Sequence, residues 1–473
     1  LPKKLNHILT KMTIYNEKLQ YRCTIIRGKS KNDLDSLLSK YATIIQEICP
    51  CSKEDFKKQF NEKLSKILNS SKKTLDNHRT EIAGKLFGMF YTDVNETVYP
   101  SERTLRFLNS QDQPEFFKDI CSRFQFPNGM DSTATLVKRV NDNISFKPFA
   151  FILEVLSIAD KKGFNISKNE VAYFILNSLQ VLQSKIQPDD VVNKIIVYRN
   201  NDIKVKVQTQ GKETSYSMQH ITEQLNLLEL ANLIRIEKGI LFLNPLEKKA
   251  ITYIRSLLNK KLAFDFLNYD LKDIEGRKKL FFDWQLYFAQ IDKQGVNLFD
   301  TSVEAIQFNI KRKSKEGIDK IQLGDDGELF VYNYEKDRVS KYDSRLVNKV
   351  LMLGKTRGLG YDIQSIVADN SENSEFVQYI EVKSTIRISV PTQTEDGWID
   401  SVNLTRNEWI AAIQHKQAFS IYRVYFTPEK VIIYIIKNPF EKKTNGSLKC
   451  TPMNYRLDFS PNSIDSKIEA IQT

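Results

Sequence analysis

The chain has 473 residues, 41% of them hydrophobic, and its 70 lysines and arginines against 58 acidic residues give a formal net charge of +12. That length is too great for one core and implies about three domains, while the basic excess points to a polyanionic partner, nucleic acid above all. No apolar run approaches a membrane span and the start, LPKKLNHILTKM, has no signal-peptide core, which argues against a membrane or secreted protein and for a cytoplasmic one. Cys23, Cys49, Cys51, Cys121 and Cys450 are odd in number and scattered, as reduced thiols would be. Cys49-Pro50-Cys51 lacks a second ligand pair at close spacing, and His7, His78, His220 and His415 lie far apart, so no zinc site is expected.

Residues 1–150 read as a helical N-terminal region, expected to take part in DNA recognition. Leucine and isoleucine recur at helical spacing over Asp33 to Ile48 and Lys53 to Leu68; Ser101 and Pro114 mark two more helix starts, and Pro127 to Gly129 stops the run. The lysines of the first two helices read more simply as solvated faces than as phosphate contacts. Residues 151–310 read as a winged-helix-like and connecting region. Ser167 and Glu170 have capping-box spacing. A helix from about Ser217 to Leu233 runs into LIRIEKGILFLNP, two alternating strands turning at Lys238-Gly239. In a winged helix the second helix would lie in the major groove; inert α+β packing is the competing reading. The aromatic stripe between Tyr253 and Phe299 reads as core. Residues 311–320 lose their apolar content and read as a linker.

Residues 321–445 form the domain with chemistry, and 446–473 a C-terminal tail. GDDGELFVYNYEKDRV predicts one helix, with Glu328 and Glu335 seven apart on the same face. Ile363–Val367 and Phe376–Val382 are two strands joined by the polar ADNSENSE turn. Asp362 starts the first strand; Glu381 and Lys383, two apart, share one face of the second. Two converging carboxylates give the oxygen-rich seat that Mg²⁺ prefers, and a lysine beside them supplies charge for a phosphorane-like transition state. A bare E-x-K is common on wet strand faces; the upstream aspartate, the apolar strands and the preceding helix carboxylate raise it to a candidate site. LTRNEWIAAIQ predicts a helix with a Thr405/Glu408 capping box, followed by core strands FSIYRVYF and KVIIYIIKN. Arg423, on the first, pairs with an acid or faces a phosphate.

GDDGELFVYNYEK (324–336), GLGYDIQS (358–365), YIEVKST (379–385), LTRNEW (404–409) and IYRVY (421–425) resemble the PD-(D/E)xK nuclease superfamily, and within it the nuclease-like domain at the C-terminus of NO VEIN-type proteins. The resemblance covers about the last third. It implies a restriction-endonuclease-like mixed sheet flanked by helices, in a multidomain α+β chain laid out like a type II or type IIS restriction enzyme. It matches Asp362, Glu381 and Lys383 to the catalytic triplet and Glu328 to the first-helix carboxylate; Glu335 is the alternative. The segment before GYDI departs from the family in being basic, so Lys355 and Arg357 join Arg423 as candidate DNA contacts. The expectation is a Mg²⁺-dependent, sequence-specific endonuclease of double-stranded DNA, with Asp362, Glu381 and Glu328 on the metal and a homodimer for double-strand cleavage. The rivals are a defence nuclease acting on modified DNA and a non-catalytic DNA-binding protein on a nuclease-like scaffold.

Overall fold

Helix α1 (Lys31–Ile48) begins where the Ser30 hydroxyl accepts a hydrogen bond from the Asp33 N–H, and it buries Leu34, Leu37, Leu38, Tyr41, Ile44, Ile45 and Ile48 along one side. In this computed structural model it is followed by strand β1 (Cys51–Ser52), α2 (Lys53–Ser65), α3 (Lys72–Asn77) continued as a π-helical stretch (His78–Leu86), and the hairpin β2 (Phe90–Thr92) and β3 (Thr97–Pro100). β3 lies between β1 and β2 in an antiparallel sheet. Two connecting helices, α4 (Glu102–Ser110) and α5 (Gln113–Arg123), start at the Ser101 cap and at Pro114 as the sequence predicts.

The same order then returns. Helix α6 (Pro148–Lys161) leads to β4 (Ile166–Ser167), to α7 (Lys168–Glu170) with its Ser167/Glu170 capping box and a π-helical continuation, then past α8 (Pro188–Asn200) to α9 (Thr214–Leu230) and the hairpin β5 (Ile234–Glu237) and β6 (Ile240–Leu243). β6 lies between β4 and β5, the arrangement of the first sheet. The hairpin turns on Lys238 and Gly239, both with positive φ (48° and 80°), as a two-residue turn requires. Both repeats share one hydrophobic core running from Cys23 to Phe299, so no core boundary falls near residue 150. α9 lies at its centre, packed against α1 and α5. Ile221, Gln224, Leu225, Leu227 and Leu228 are all buried, so much of the described part of the helix expected to face a DNA groove packs against protein, leaving Gln219 exposed and Thr222, Asn226 and Glu229 half-buried. The aromatic stripe of α10 (Ile274–Ala289) is core, with Trp284 and Phe288 stacked at 5.5 Å.

The C-terminal third is a six-stranded mixed sheet in the order β15-β12-β11-β9-β8-β7, flanked by α11 (Leu323–Tyr342) and α12 (Arg406–His415). Its strands are β7 (Leu351–Met352), β8 (Ile363–Ile366), β9 (Val377–Ile386), β11 (Phe419–Phe426), β12 (Val431–Lys437) and β15 (Ser466–Ala470). β9 and β11 run parallel, the other pairs antiparallel. On one face Ile363, Ile380, Val382 and Val424 pack with Val331 and Val339 of α11. On the other, Phe419, Ile421 and Tyr425 pack with Trp409 and Ala412 of α12. β10 (Asp400–Asn403), β13 (Leu448–Thr451) and β14 (Arg456–Phe459) make a small second sheet. Residues 446–473, expected as a tail, thus supply three strands; Leu448 and Phe459 are buried opposite each other, and β15 covers what would be an open edge of β12.

The downstream end of β9 is tied to the N-terminal half. Thr385 donates its hydroxyl to the Gln111 carbonyl at 2.9 Å, Asp112 forms a parallel bridge with Ile386, and Asp35, fully buried, accepts from the Ser389 N–H at 2.8 Å and from the Ser389 hydroxyl. Residues 20–470 are described apart from 26–29, 206–213, 308–322, 355, 357, 370, 372, 392–396, 398 and 452–455. The predicted linker, Lys355 and Arg357 lie outside the described residues. Among those described, no helix is long and apolar enough to cross a membrane.

Candidate active site

Asp362 stands one residue before β8, where its N–H donates to the Ile380 carbonyl at 2.9 Å and so fixes it beside β9. Its carboxylate turns across the hairpin, where Oδ2 accepts from the Val382 N–H at 2.8 Å and the group lies near enough to Glu381 for the two to repel. Glu381 points to the α12 side of β9 and is 3% exposed. Lys383, on the same face, places Nζ 2.6 Å from Glu381 Oε1 and 3.0 Å from Glu408 Oε2. The sequence-predicted Asp362, Glu381 and Lys383 are therefore brought together, with a fourth member that sequence reasoning assigned only to helix capping. Glu408 does cap α12, accepting from the Thr405 N–H at 2.9 Å, and the same oxygen holds Lys383.

Electrostatics follow from this crowding. Burial pushes the Asp362 carboxyl above its ordinary range, against the pull of the Val382 N–H and the Lys383 charge. Burial, reinforced by Asp362 and Glu408, pushes Glu381 well above its own. Burial disfavours the Lys383 ammonium, but Glu381 and Glu408 outweigh it and hold the lysine charged. Three carboxylates facing one lysine leave a negative excess that a divalent cation would neutralise. Asp362 and Glu381 are the pair in contact and fit one Mg²⁺ that keeps water and phosphate oxygens as its other ligands. No cage of three acidic, imidazole or thiol groups is preformed among the described residues.

Glu328 and Glu335 part company. Glu335 is fully buried; it accepts from the Ser365 hydroxyl at 2.6 Å and the Tyr422 hydroxyl at 2.9 Å, and pairs with Arg338 at 2.6 Å. Glu328, half-buried near the start of α11, lies so close to Gly354 that a Cβ there would fall 2.3 Å from its Oε2. It lines a cleft of about 810 Å³ together with Lys383, Ser384 and Asn403, and with Asn109 and Gln111 from the N-terminal half. Glu335→Ala would leave Arg338 without its carboxylate, and we expect a loss of about 3 kcal/mol in stability with unchanged metal affinity of the folded protein. Denaturant unfolding and calorimetric Mg²⁺ titration of the two alanine variants check this, since Glu328→Ala should do the opposite.

Arg423, the candidate phosphate contact, is 3% exposed and pairs with Asp400 at 3.0 Å, while its guanidinium also donates to the Lys383 and Ser384 carbonyls. Of the two roles open to it in the sequence, the structure has the acidic partner. It braces the strand that carries Lys383.

Comparison with known proteins agrees with this architecture. Residues 327–436, which hold the sheet and its carboxylates, match the family described as Protein NO VEIN, C-terminal. Together with the N-terminal match this makes the chain restriction-endonuclease-related. Residues 15–285 match the family described as Restriction endonuclease BpuJI, N terminal, and the chain belongs to that family. A solved structure described as the crystal structure of pyrene- and phenanthrene-modified DNA in complex with the BpuJ1 endonuclease binding domain is similar, at 54% identity over 58% of this chain and all of that one, with a TM-score of 0.56. No curated protein matches.

Proposed function

We propose that the chain is a metal-dependent DNA endonuclease whose N-terminal half reads the duplex and whose C-terminal sheet cuts it. The observation that carries this reading is the gathering of Asp362, Glu381 and Lys383 on one hairpin, whose Lys383 also lines a cleft shared with the N-terminal half. Mg²⁺, when bound, supplies a Lewis acid for the phosphate and for the attacking water. Asp362 and Glu381 would hold it, Asp362 being fixed by the Val382 N–H, and Glu328, which lines the cleft beside Lys383, is the further candidate carboxylate. Lys383, anchored by Glu408 whatever Glu381 binds, directs its charge at the phosphate oxygens as negative charge grows on them. The attacking water gives up a proton to solvent as its oxygen bonds to phosphorus, and the leaving 3′ oxygen takes one from solvent as its bond to phosphorus breaks.

Reading is assigned to the first repeat. Its order of helix, strand, two helices and hairpin is that of a winged helix, and Lys72, Lys73, Asn77, Thr80 and Lys85 are all exposed along the α3 stretch, whereas the equivalent helix of the second repeat, α9, exposes only Gln219 among its described side chains. The solved binding domain is described with DNA and is 54% identical, which supports the assignment. Residues 1–307 alone should bind DNA selectively with steep salt dependence, and Lys73→Ala should weaken binding and lower the salt slope by about one. A gel-shift series over salt measures both. Incubating the full chain with a plasmid pool, modified and unmodified, with and without Mg²⁺, tests cutting; intact plasmid in every arm would overturn the nuclease reading.

A further inference from the structure

Beside the carboxylates lies a group of side chains that the cleavage scheme does not use. Tyr361 immediately precedes Asp362, and Tyr379 lies two residues before Glu381 on the same face of β9, about 7 Å along the strand. His415 ends α12, the helix whose start carries Glu408. The ring centroids of Tyr361 and Tyr379 are 4.6 Å apart, those of Tyr379 and His415 4.1 Å, and those of Tyr361 and His415 5.9 Å. All three rings are only half-buried. They border the apolar cluster under α12, yet among the described residues neither phenol hydroxyl nor either imidazole nitrogen has a hydrogen-bond partner. Rings that served only to seal a core would be expected to bury their faces and to tie their polar tips to the protein. These keep aromatic surface and free polar tips in solvent, within one nucleotide's reach of the groups that hold the phosphate.

We propose that Tyr361, Tyr379 and His415 form a binding site for a nucleobase of the strand being cut, next to the scissile phosphate. Aromatic faces stack on any base without reading its edge, so the site adds affinity and position but no sequence preference. A base within an intact duplex has no free face to offer. The base must leave its stack, so the chain takes locally unpaired DNA at the cut, either frayed or opened there. The two phenol hydroxyls and the imidazole then have hydrogen-bond partners in the sugar and phosphate of that nucleotide. This rests on the nuclease reading for the identity of the neighbouring phosphate, but not for the binding itself.

The test uses the full chain in divalent-free buffer with a single-stranded oligonucleotide carrying 5-iodo-2′-deoxyuridine at every thymidine, crosslinked by ultraviolet light and mapped by mass spectrometry. Adducts are expected on the peptides holding Tyr361, Tyr379 and His415. Tyr379→Leu should bind the single strand about tenfold more weakly, the loss of one stacked base, while Tyr379→Phe, which keeps the ring and loses only the hydroxyl's hydrogen bond, should lose no more than about threefold. Duplex binding, read elsewhere, should be the same in all three. Adducts confined to residues 1–307, or equal single-strand affinity for the leucine and phenylalanine variants, would overturn the proposal. Should Tyr379→Leu fail to fold, the crosslink map of the unsubstituted chain decides alone. Plasmid cleavage with Mg²⁺ is scored separately: adducts at the aromatic group without cleavage would sink the nuclease reading and leave this one standing, and cleavage without such adducts would do the reverse.

Discussion

Lys383→Ala is expected to slow DNA cleavage by 10²- to 10³-fold, roughly 3 to 4 kcal/mol of transition-state stabilisation, with little change in DNA affinity. The lysine acts on charge that exists mainly as the phosphate reacts, whereas most ground-state binding is assigned to the N-terminal half. The ion pairs add a second signature. Without the ammonium, Glu381 and Glu408 face Asp362 uncompensated, so carboxyls that burial already pushes up would rise further. An acid whose folded pKa exceeds its unfolded one binds more protons when folded, and its contribution to stability falls as pH rises from the ordinary carboxylate range through the folded value. The melting temperature of the variant should therefore drop more steeply with rising pH than that of the unsubstituted chain in divalent-free buffer, and Mg²⁺ should restore part of it. Single-turnover cleavage and melting curves on one preparation measure both. A variant that loses activity only in proportion to its unfolded fraction would make Lys383 a purely structural ion-pair partner.

The second large effect is at Asp362. Asp362→Ala should abolish cleavage by removing a metal-holding carboxylate, and it also strips the Val382 N–H of its acceptor, a cost of about 1 to 3 kcal/mol. Asp362→Asn keeps an oxygen for that N–H, so it should abolish cleavage at nearly unchanged stability. Neither should weaken DNA binding without divalent ions, and loss of a negative charge beside the phosphate favours it. Full cleavage by a folded Asp362→Asn chain would remove the hairpin from the chemistry altogether.

How much of this was legible in the sequence differs from element to element. The β8–β9 hairpin was, because two apolar runs flank a polar turn, and Glu381 and Lys383, two apart on a strand, must share a face. Glu328 and Glu335 could not be ranked, since seven residues return to the same side of a helix; only the Ser365 and Tyr422 hydroxyls, from distant strands, show Glu335 committed elsewhere. Glu408 was read correctly as the third residue of a capping box, and that local role concealed its tertiary one. The first repeat went unseen because its strands are two to four residues long, too short for alternation to register. The second repeat announced itself through Lys238-Gly239, but nothing local says how much of α9 packs against α1 and α5. The three C-terminal strands were missed for a related reason: β15 is polar, SKIEA, and is held by backbone pairing to β12 rather than by a hydrophobic pattern of its own.

The ties between Asp35 and Ser389, Gln111 and Thr385, and Asp112 and Ile386 bear on how freely such chains can be recombined. A nuclease assembled from a reader and a cutter joined only by a tether could be re-targeted by exchanging the reader at the tether. Here a splice within 308–322 would carry β9 away from the surface its end is hydrogen-bonded to, and would leave Asp35, buried in α1, without the Ser389 donors that solvate its carboxylate. A working hybrid therefore has to transplant a matched seam, residues 110–112 and 35 on one side with 385–389 on the other, so that the unit of inheritance in this chain is the pair of halves with their joint.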